Sequence, residues 1–310
     1  MLSSIRKITV LNRPIAFVLK KTKSGLNKFF DYIIMRWPTK GKTDCTFNGT
    51  RFFLYNKCDD GLVNYFHYGF KYHEEGDISL FTQLAVFCNT VIDVGANTGV
   101  YSILTSLKNG KANIIAFEPH TSNFERLKKN LSINNCKNVK CEMIALGESN
   151  GEIAFTVPDD NRITDVASVV GDFSKNEIKT IKWKQVITKI NTLDFYRREN
   201  SLKIDLIKCD VESYETSFFK GLEETIREDR PVILFESFMS DEKIKYFNNI
   251  VARHNYTVYL VLDKAIVHLK EGFVINSLGV NFLITPLPPP KTVIPINEIN
   301  TYIDSLLLRN

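Results

Sequence analysis

The segment from Val91 to Gly99, which reads V-I-D-V-G-A-N-T-G, constrains the fold of this 310-residue chain more than any other. β-branched residues at its start predict a buried strand, and its two glycines predict a tight turn. Apolar side chains then recur at helical spacing from Val100 to Leu107. A strand, a glycine turn and a helix in this order are typical of the first unit of a nucleotide-binding α/β domain, where the turn and the helix start offer unpaired N–H groups to a ligand.

Strand and helix patterns continue to alternate after this unit, which indicates an α/β domain with a mostly parallel sheet. Further core strands are predicted at residues 113–119, 139–146, 205–211 and 231–236. A continuous helix is expected at residues 214–226. Two late strands, at residues 256–262 and 280–285, are expected to form an antiparallel edge hairpin.

The chain is expected to divide into residues 1–44, 45–90, 91–285 and 286–310. The first segment is basic and apolar and is predicted to be helical. The second is a cap that begins with a β-hairpin around Asn48-Gly49. The third is the α/β domain, with a polar, irregular loop at residues 158–181 that we expect near the ligand. The last is a proline-rich linker followed by a short C-terminal helix.

The net charge of +5 is concentrated at the N-terminus. Residues 1–42 contain ten Lys or Arg and one acid, a net charge of +9, so the remainder carries −4. A mildly acidic body argues against a nucleic-acid-binding protein. Residues 1–44 could lie on an anionic membrane surface, or pack on the domain with a solvated basic side, and we favour packing.

Cysteine usage and hydropathy both favour a cytoplasmic protein. The six cysteines contain no C-x-x-C pair, and we interpret them as reduced, mostly buried thiols. No apolar run is long enough to span a bilayer, and lysines follow the short apolar run of residues 16–19 too soon for a signal peptide. Within this prediction, the cytoplasmic protein could also contact a membrane peripherally through residues 1–44.

Acidic residues follow four of the predicted core strands. They are Asp93 on the first strand, Glu118 on the second, Asp210 and Glu212 on the fourth, and Glu236 on the fifth. Because the carboxyl ends of parallel strands share one edge of a sheet, where ligands bind, these acids predict a binding or catalytic site.

The spacing of Glu118 indicates which kind of ligand binds there. It lies 23 residues beyond Gly95, as expected of an acid that binds both hydroxyls of a ribose, although an acid in a turn before Pro119 is the simpler alternative. The turn lacks the G-x-G-x-x-G pattern of a pyrophosphate site, and Asp93 would repel a pyrophosphate. An acid favours a cation, so S-adenosylmethionine (SAM), with a ribose, an ammonium and a sulfonium, is preferred over NAD. An NAD-linked oxidoreductase stays an alternative.

Several motifs taken together resemble those of the FkbM-type SAM-dependent methyltransferases. They are D-V-G-A-N-T-G-V-Y-S at 93–102, F-E-P at 117–119, T-L-D at 192–194, L-I-K-C-D-V-E-S-Y-E at 206–215, K-G at 220–221 and P-V-I-L-F-E at 231–236. Glu74 also resembles an acid that this family carries ahead of its first motif. The resemblance covers about residues 70–240. It implies a Rossmann-like class I methyltransferase fold, with a mostly parallel seven-stranded sheet and an antiparallel edge strand. It also implies O-methylation, usually of a hydroxyl of a sugar, glycan or natural product.

The same resemblance implies a role for individual residues. The cofactor-binding residues would be Asp93, Gly95, Ala96, Asn97 and Gly99 around the glycine turn, Glu118 at the ribose, and Ile144 and Ala145 at the adenine. Asp210 and Glu212 would face the transferable methyl group. Ser213 departs from the pattern, because the family usually has glycine there; we expect the serine to cap the next helix. This departure is the main support for the alternative of a non-catalytic SAM-fold binding module.

A sugar hydroxyl is a poor nucleophile, so methyl transfer should need a base to take its proton. The candidate catalytic residues are Asp210, Glu212 and Glu236, and the sequence does not distinguish among them. The three acids could also hold a divalent cation, which is possible but not favoured because no ligand spacing demands it. The histidines at 67, 73 and 120 are secondary candidates for the base.

Overall fold

A computed structural model describes residues 39–57, 60–69, 75–158, 183–275, 280–286 and 293–299. Several predictions lie outside these ranges. They are the N-terminal helix up to residue 38, the loop from residue 159 to 181, the proline-rich linker and the helix beyond residue 299. The predicted roles of His73, as a candidate base, and of Glu74, as the acid ahead of the first motif, also lie outside them.

The N-terminal part of the described chain is the predicted hairpin with a helix after it. Strand β1 (Lys40–Phe47) pairs antiparallel with β2 (Thr50–Lys57) across a turn whose residues Asn48 and Gly49 have φ of 43° and 75°. Positive φ at both positions is what a two-residue hairpin turn requires. The hairpin thus begins at Lys40, inside the segment expected to be helical. Helix α1 (Gly61–Tyr68) follows.

The first half of the α/β unit follows the predicted alternation. Its elements are α2 (Glu75–Leu84), a 3₁₀ turn (Ala85–Phe87), β3 (Thr90–Val94), α3 (Val100–Lys108), β4 (Asn113–Phe117), α4 (Thr121–Ile133), β5 (Val139–Glu142), β6 (Ala145–Leu146) and β7 (Gly151–Pro158). The glycine turn therefore joins β3 to α3, as the sequence predicts.

The second half completes the sheet. Its elements are β8 (Trp183–Asn191), α5 (Leu193–Glu199), β9 (Leu206–Cys209), α6 (Glu215–Lys220), α7 (Glu223–Glu228), β10 (Val232–Glu236), α8 (Asp241–His254), β11 (Thr257–Val261), β12 (Ala265–His268), β13 (Asn281–Thr285), β14 (Val293–Pro295) and a 3₁₀ turn (Ile296–Glu298).

The main sheet has the order β14-β12-β11-β13-β10-β9-β3-β4-β5. Strands β5, β4, β3, β9 and β10 are mutually parallel, and β13 runs antiparallel between β10 and β11. This confirms the α/β fold class, with two differences of detail. The antiparallel strand lies inside the sheet rather than at its edge, and β12 and β14 extend the seven strands to nine.

Alternation along the central strands gives the sheet a hydrophobic core on each face. Val91, Ile114 and Leu206 belong to one buried cluster. Their neighbours in sequence, Ile92, Ile115 and Ile207, belong to the other. Successive side chains of a strand point to opposite faces, and both faces of a parallel sheet are covered, so these apolar runs suit central strands.

Local boundaries differ from the sequence prediction where tertiary contacts intervene. The third strand stops at Glu142, because Ala145 and Leu146 pair instead with β8 in a separate three-stranded sheet, β6-β8-β7. The helix expected at 214–226 is divided at Gly221, where a Cβ atom would lie 1.9 Å from the carbonyl oxygen of Gly147. Among the described residues, no helix is both long and apolar enough to cross a bilayer.

Candidate active site

The strand order reverses between β3 and β9, where the connections leave toward opposite sides of the sheet, and an open pocket lies at the carboxyl ends of these strands. Such a reversal is where open α/β sheets bind ligands. The pocket contains about 640 Å³ of empty space, a volume that includes the solvent at its open mouth. Its lining includes Gly95, Asn97, Glu118, Asn123, Ile144, Ala145, Phe155, Asp210, Glu212 and Tyr214.

The glycine turn brings backbone to the edge of the pocket. The N–H groups of Gly95 and Ala96 both donate to the carbonyl of Phe117, at 3.0 and 2.9 Å. Gly95 has φ of 73°, and a Cβ atom there would lie 1.8 Å from the carbonyl oxygen of Asp210. No side chain fits this position, so the glycine is required by the close approach of the two strand ends.

Gly99 serves the helix rather than the pocket lining. It is the N-cap of α3 with φ of 90°, and a Cβ atom there would lie 2.4 Å from Cδ1 of Leu127. Neither Gly99 nor Ala96 lines the pocket. Their predicted roles toward the cofactor therefore stay predictions.

Glu118 is the most constrained carboxylate of the pocket. One of its oxygens accepts from the N–H of Asn97 and the other from the N–H of His120, both at 2.8 Å. The side chain is only 4% exposed, and this burial raises the pKa of Glu118 to about 7. Each carboxylate oxygen has a further lone pair, so the group can still accept from two hydroxyls of a ribose.

Asp93 lies beneath the turn rather than in the pocket wall. Its Oδ2 accepts from the hydroxyl of Ser102 at 2.6 Å, while its Oδ1 is buried without a hydrogen-bond partner among the described residues. The Oδ1 of Asn97 is buried and unpartnered in the same sense. Burial raises the pKa of Asp93, and the nearby Lys208 ammonium opposes that rise. Of these two acceptors only Asn97 lines the pocket, and its Oδ1 fits a ligand that brings an N–H group, such as an amine.

Apolar side chains line another part of the pocket. Ile144 and Ala145 line the pocket as predicted for the adenine side, and they follow β5 rather than ending it. Phe155 of β7 and Asn123 of α4 line it as well, and sequence reasoning missed both. Phe155 lies in a separate sheet that packs beside the pocket, so its position could not be inferred from strand order alone.

Asp210 borders two cavities. It lines the main pocket together with Glu212, and also a narrow neighbouring cleft, whose empty space of about 230 Å³ includes open solvent. That cleft is lined by the polar residues Asp77, Tyr101, Lys208, Glu236 and Asn281. Of the predicted catalytic acids, Asp210 and Glu212 thus lie at the main pocket, whereas Glu236 faces only the cleft.

Lys208 is a buried cation of this cleft. Its Nζ donates to Oδ2 of Asp210 at 3.1 Å and lies 4.8 Å from the centre of the Tyr101 ring. Asp77, from the cap helix α2, accepts from the side-chain amide of Asn281 at 2.9 Å. The Lys208 ammonium thus pairs with the Asp210 carboxylate where the two cavities meet.

The turn after β9 explains the unusual residue Ser213. Glu212 and Ser213 have φ of 47° and 72°, and the N–H of Tyr214 donates to the carbonyl of Val211 at 3.2 Å. Left-handed conformation at both central residues favours glycine at the second of them. The expected helix cap at Ser213 is wrong, since α6 is preceded by Tyr214 and has no side-chain cap.

The histidines and metal ligands add little to the site. The Nδ1 of His67 donates to the carbonyl oxygen of Asp44 in the hairpin, at 2.6 Å, and His67 does not line either cavity. His120 lies next to Glu118, and burial lowers its pKa. No group of three or more His, Cys, Asp or Glu suited to a metal ion occurs in the part of the chain that the structure describes. The divalent cation stays a prediction.

Comparison with protein families gives a match that spans the site. Residues 93–258, more than half of the chain, match the methyltransferase FkbM domain. Methyltransferase 1 of Beauveria bassiana is 23% identical over 147 residues, which are 43% of this chain and 58% of that protein. Methyltransferase sdnD of Sordaria araneosa is 27% identical over 157 residues, 43% of this chain and 60% of that protein. The chain therefore spans about three fifths of the length of these curated relatives.

Among solved structures, the chain is similar to the methyltransferase FkbM from Methylobacillus flagellatus KT. The TM-score is 0.42 at 14% sequence identity, over 88% of this chain and 58% of that chain.

Proposed function

The chain belongs to the FkbM methyltransferase family, and from this premise we propose that it is a SAM-dependent O-methyltransferase whose acceptor is a hydroxyl of a sugar, a glycan or a related small molecule. The proposal rests mainly on the position of Asp210, which lines two cavities at once. One is the main pocket, which contains Glu118, the acid proposed to bind a ribose, and the other is the polar cleft beside it. A methyl donor in the first cavity and a hydroxyl in the second would meet at this residue.

The fit of the pocket to SAM rests on the chain's own groups. Glu118 offers one further acceptor site on each oxygen, as a ribose with two hydroxyls needs. The unpartnered Oδ1 of Asn97 matches the amino group of a methionine moiety, and Ile144 and Phe155 offer apolar surface to an adenine. When bound, SAM supplies an electrophilic methyl group on a sulfonium.

The acceptor side would orient a hydroxyl and take its proton. Asp210 is the preferred base, because it borders both cavities and its carboxylate is held by Lys208. Glu236 and Asp77 line the cleft, where their carboxylates would accept from a single O–H group of the acceptor that enters it. Much of the rate would come from alignment of the acceptor oxygen with the methyl group.

The alternative of a non-catalytic binding module loses its main support. That alternative rested on Ser213, and the turn keeps its left-handed conformation, with φ of 72°, although serine replaces glycine. Asp210, directly before the turn, and Glu212, within it, line the main pocket in the same structure.

The proposal is tested by incubating the protein with SAM and a panel of neutral sugars, glycosides and polyhydroxylated natural products. Released S-adenosylhomocysteine and methylated product are measured by mass spectrometry. We expect turnover with at least one acceptor, reduced about 10²- to 10⁴-fold in Asp210→Asn, with SAM affinity unchanged by calorimetry.

Asp241→Asn is the matched control, because Asp241 is an exposed first residue of α8 away from both cavities. Absence of SAM binding, or turnover in Asp210→Asn equal to that of the wild type, would contradict the proposal.

A further inference from the structure

The turn that carries Glu212 is held in place by a residue that touches neither cavity. Two consecutive non-glycine residues, Glu212 and Ser213, adopt left-handed conformations with φ of 47° and 72°. Side chains with a Cβ atom populate this region sparsely, so such a conformation persists only where the surroundings impose it. The single turn hydrogen bond, from Tyr214 N–H to Val211, is one constraint. A second constraint comes from Glu215.

Glu215 binds three groups with its two carboxylate oxygens. Its Oε1 accepts from the N–H of Ser213 at 2.8 Å, which fixes the second left-handed residue directly. Its Oε2 accepts from the hydroxyl of Ser237 at 3.0 Å and from Nζ of Lys243 at 2.8 Å. Lys243 also donates to the hydroxyl of Ser237 at 3.1 Å. The Glu215 side chain is only 3% exposed, so these partners compensate its charge where water cannot.

The network spans the two strand ends that supply the acceptor-side acids. Ser213 belongs to the turn after β9, next to Glu212, which lines the main pocket. Ser237 follows β10, directly after Glu236, which lines the cleft. Lys243 comes from the first turns of α8. One buried carboxylate thus ties the backbone N–H of Ser213, beside Glu212, to the hydroxyl of Ser237, beside Glu236.

We propose that Glu215 is a positioning residue for methyl transfer: with Lys243 and Ser237 it holds the left-handed Glu212–Ser213 turn and sets its place relative to the end of β10. This inference rests on the proposed function, in which these acids orient or deprotonate the acceptor. Because Glu215 lines neither cavity, its loss should leave SAM binding intact and lower turnover.

The test uses Glu215→Met, Glu215→Met with Ser213→Gly, and Glu215→Gln as a milder variant in case the first does not fold. Glu223→Met is the control, because Glu223 is also the first residue of a short neighbouring helix but has an exposed partner, Arg253. Hydrogen exchange of the peptide around Ser213 reports the turn independently of activity. Calorimetry gives SAM affinity, and steady-state kinetics give kcat and KM.

For Glu215→Met we expect faster exchange at the Ser213 amide and a kcat lower by about 10- to 100-fold, the usual cost of a lost hydrogen bond to a charged group. SAM affinity should stay within about threefold, as for a residue outside the pocket. Adding Ser213→Gly should restore kcat at least about fivefold, because glycine adopts φ of 72° without a Cβ penalty. The control should change none of these quantities.

Unchanged exchange at Ser213 would overturn the role of Glu215 in holding the turn. Faster exchange with unchanged kcat, or failure of Ser213→Gly to restore any activity, would overturn the positioning role, because a merely structural loss would not be repaired at that backbone position. If the wild type transfers no methyl group to any acceptor, the proposed function fails, while the exchange data still decide whether Glu215 holds the turn.

Discussion

The cofactor side and the acceptor side of the site are held together by different kinds of contact. On the cofactor side, backbone geometry dominates: Gly95 has no room for a Cβ atom, and Glu118 is fixed by two backbone N–H groups. On the acceptor side, side chains hold one another, as Lys208 holds Asp210 and Lys243 holds Glu215. The glycine turn and Glu118 lie within one stretch of sequence, whereas the acceptor side joins α2, β9, β10 and α8. The contrast predicts that the cofactor side is intolerant of change and the acceptor side is adjustable.

Removal of the Glu118 carboxylate should have the largest effect on cofactor binding. Glu118→Ala deletes two charge-assisted hydrogen bonds to a ribose, each worth about 1.5–3 kcal/mol, so SAM affinity should fall at least about 100-fold by calorimetry. The variant also leaves the N–H groups of Asn97 and His120 without their acceptor.

Asp194→Ala separates loss of the ligand contact from loss of the backbone contacts. The Asp194 carboxylate is also buried and also accepts from two backbone N–H groups, those of Glu224 and Thr225, but it does not line the pocket. Its removal should destabilise the protein to a similar degree and leave SAM affinity unchanged. If both variants weaken SAM binding equally, Glu118 is a structural residue and the contrast between the two sides is lost.

A change of pH should alter SAM affinity less than removal of the Glu118 carboxylate does. Burial raises the pKa of Glu118 to about 7, so below that pH the folded protein without ligand carries mostly the protonated acid. The carboxylate accepts more strongly from hydroxyls, so SAM affinity should weaken as pH falls below 7, by up to about tenfold per unit, and level off above it.

The raised pKa of Glu118 also determines how the stability of the fold changes with pH. The folded state binds a proton more tightly than the unfolded chain, so the contribution of Glu118 to the free energy of unfolding is present at low pH and is lost as pH rises from about 4.5 to 7. Glu118→Gln, which has no titration in this range, is the control. A wild-type affinity for SAM that does not vary with pH would contradict the assignment.

Much of the cofactor side could be predicted from the sequence, because its signals are local. A strand, a glycine turn and an acid at the end of the next strand need only strand order to be brought together, and Gly95 and Glu118 do meet at the pocket. Asp77 and Phe155 could not be placed in this way, since each comes from an element outside the parallel core. The contacts of Glu215 depend on side chains 22 and 28 residues away, which no local pattern specifies.

Two local predictions were wrong, for different reasons. Local pattern predicted a third strand up to Leu146, but pairing with β8 draws Ala145 and Leu146 into another sheet. Local preference also assigned a capping role to Ser213, whereas the observed φ of 72° places it inside a left-handed turn. At Ala145 and Leu146 a contact distant in sequence outweighed the local preference, whereas at Ser213 a local turn hydrogen bond did.

Ser213→Gly should have the smallest effect of these changes, and it acts on the free energy of unfolding. The sign of that effect distinguishes the acceptor side of the site from the cofactor side. A left-handed residue with a Cβ atom costs about 1–2 kcal/mol, and the greater freedom of glycine in the unfolded chain offsets about 0.4–1 kcal/mol of the gain. We therefore expect the free energy of unfolding to rise by about 0.5–1 kcal/mol in denaturant titration, with SAM affinity unchanged. Ser132→Gly, on the exposed face of α4, should instead lower it by about 0.5 kcal/mol, because glycine disfavours a helix. A destabilising Ser213→Gly would mean that the serine side chain itself holds the turn, and the acceptor side would then be as intolerant of change as Gly95.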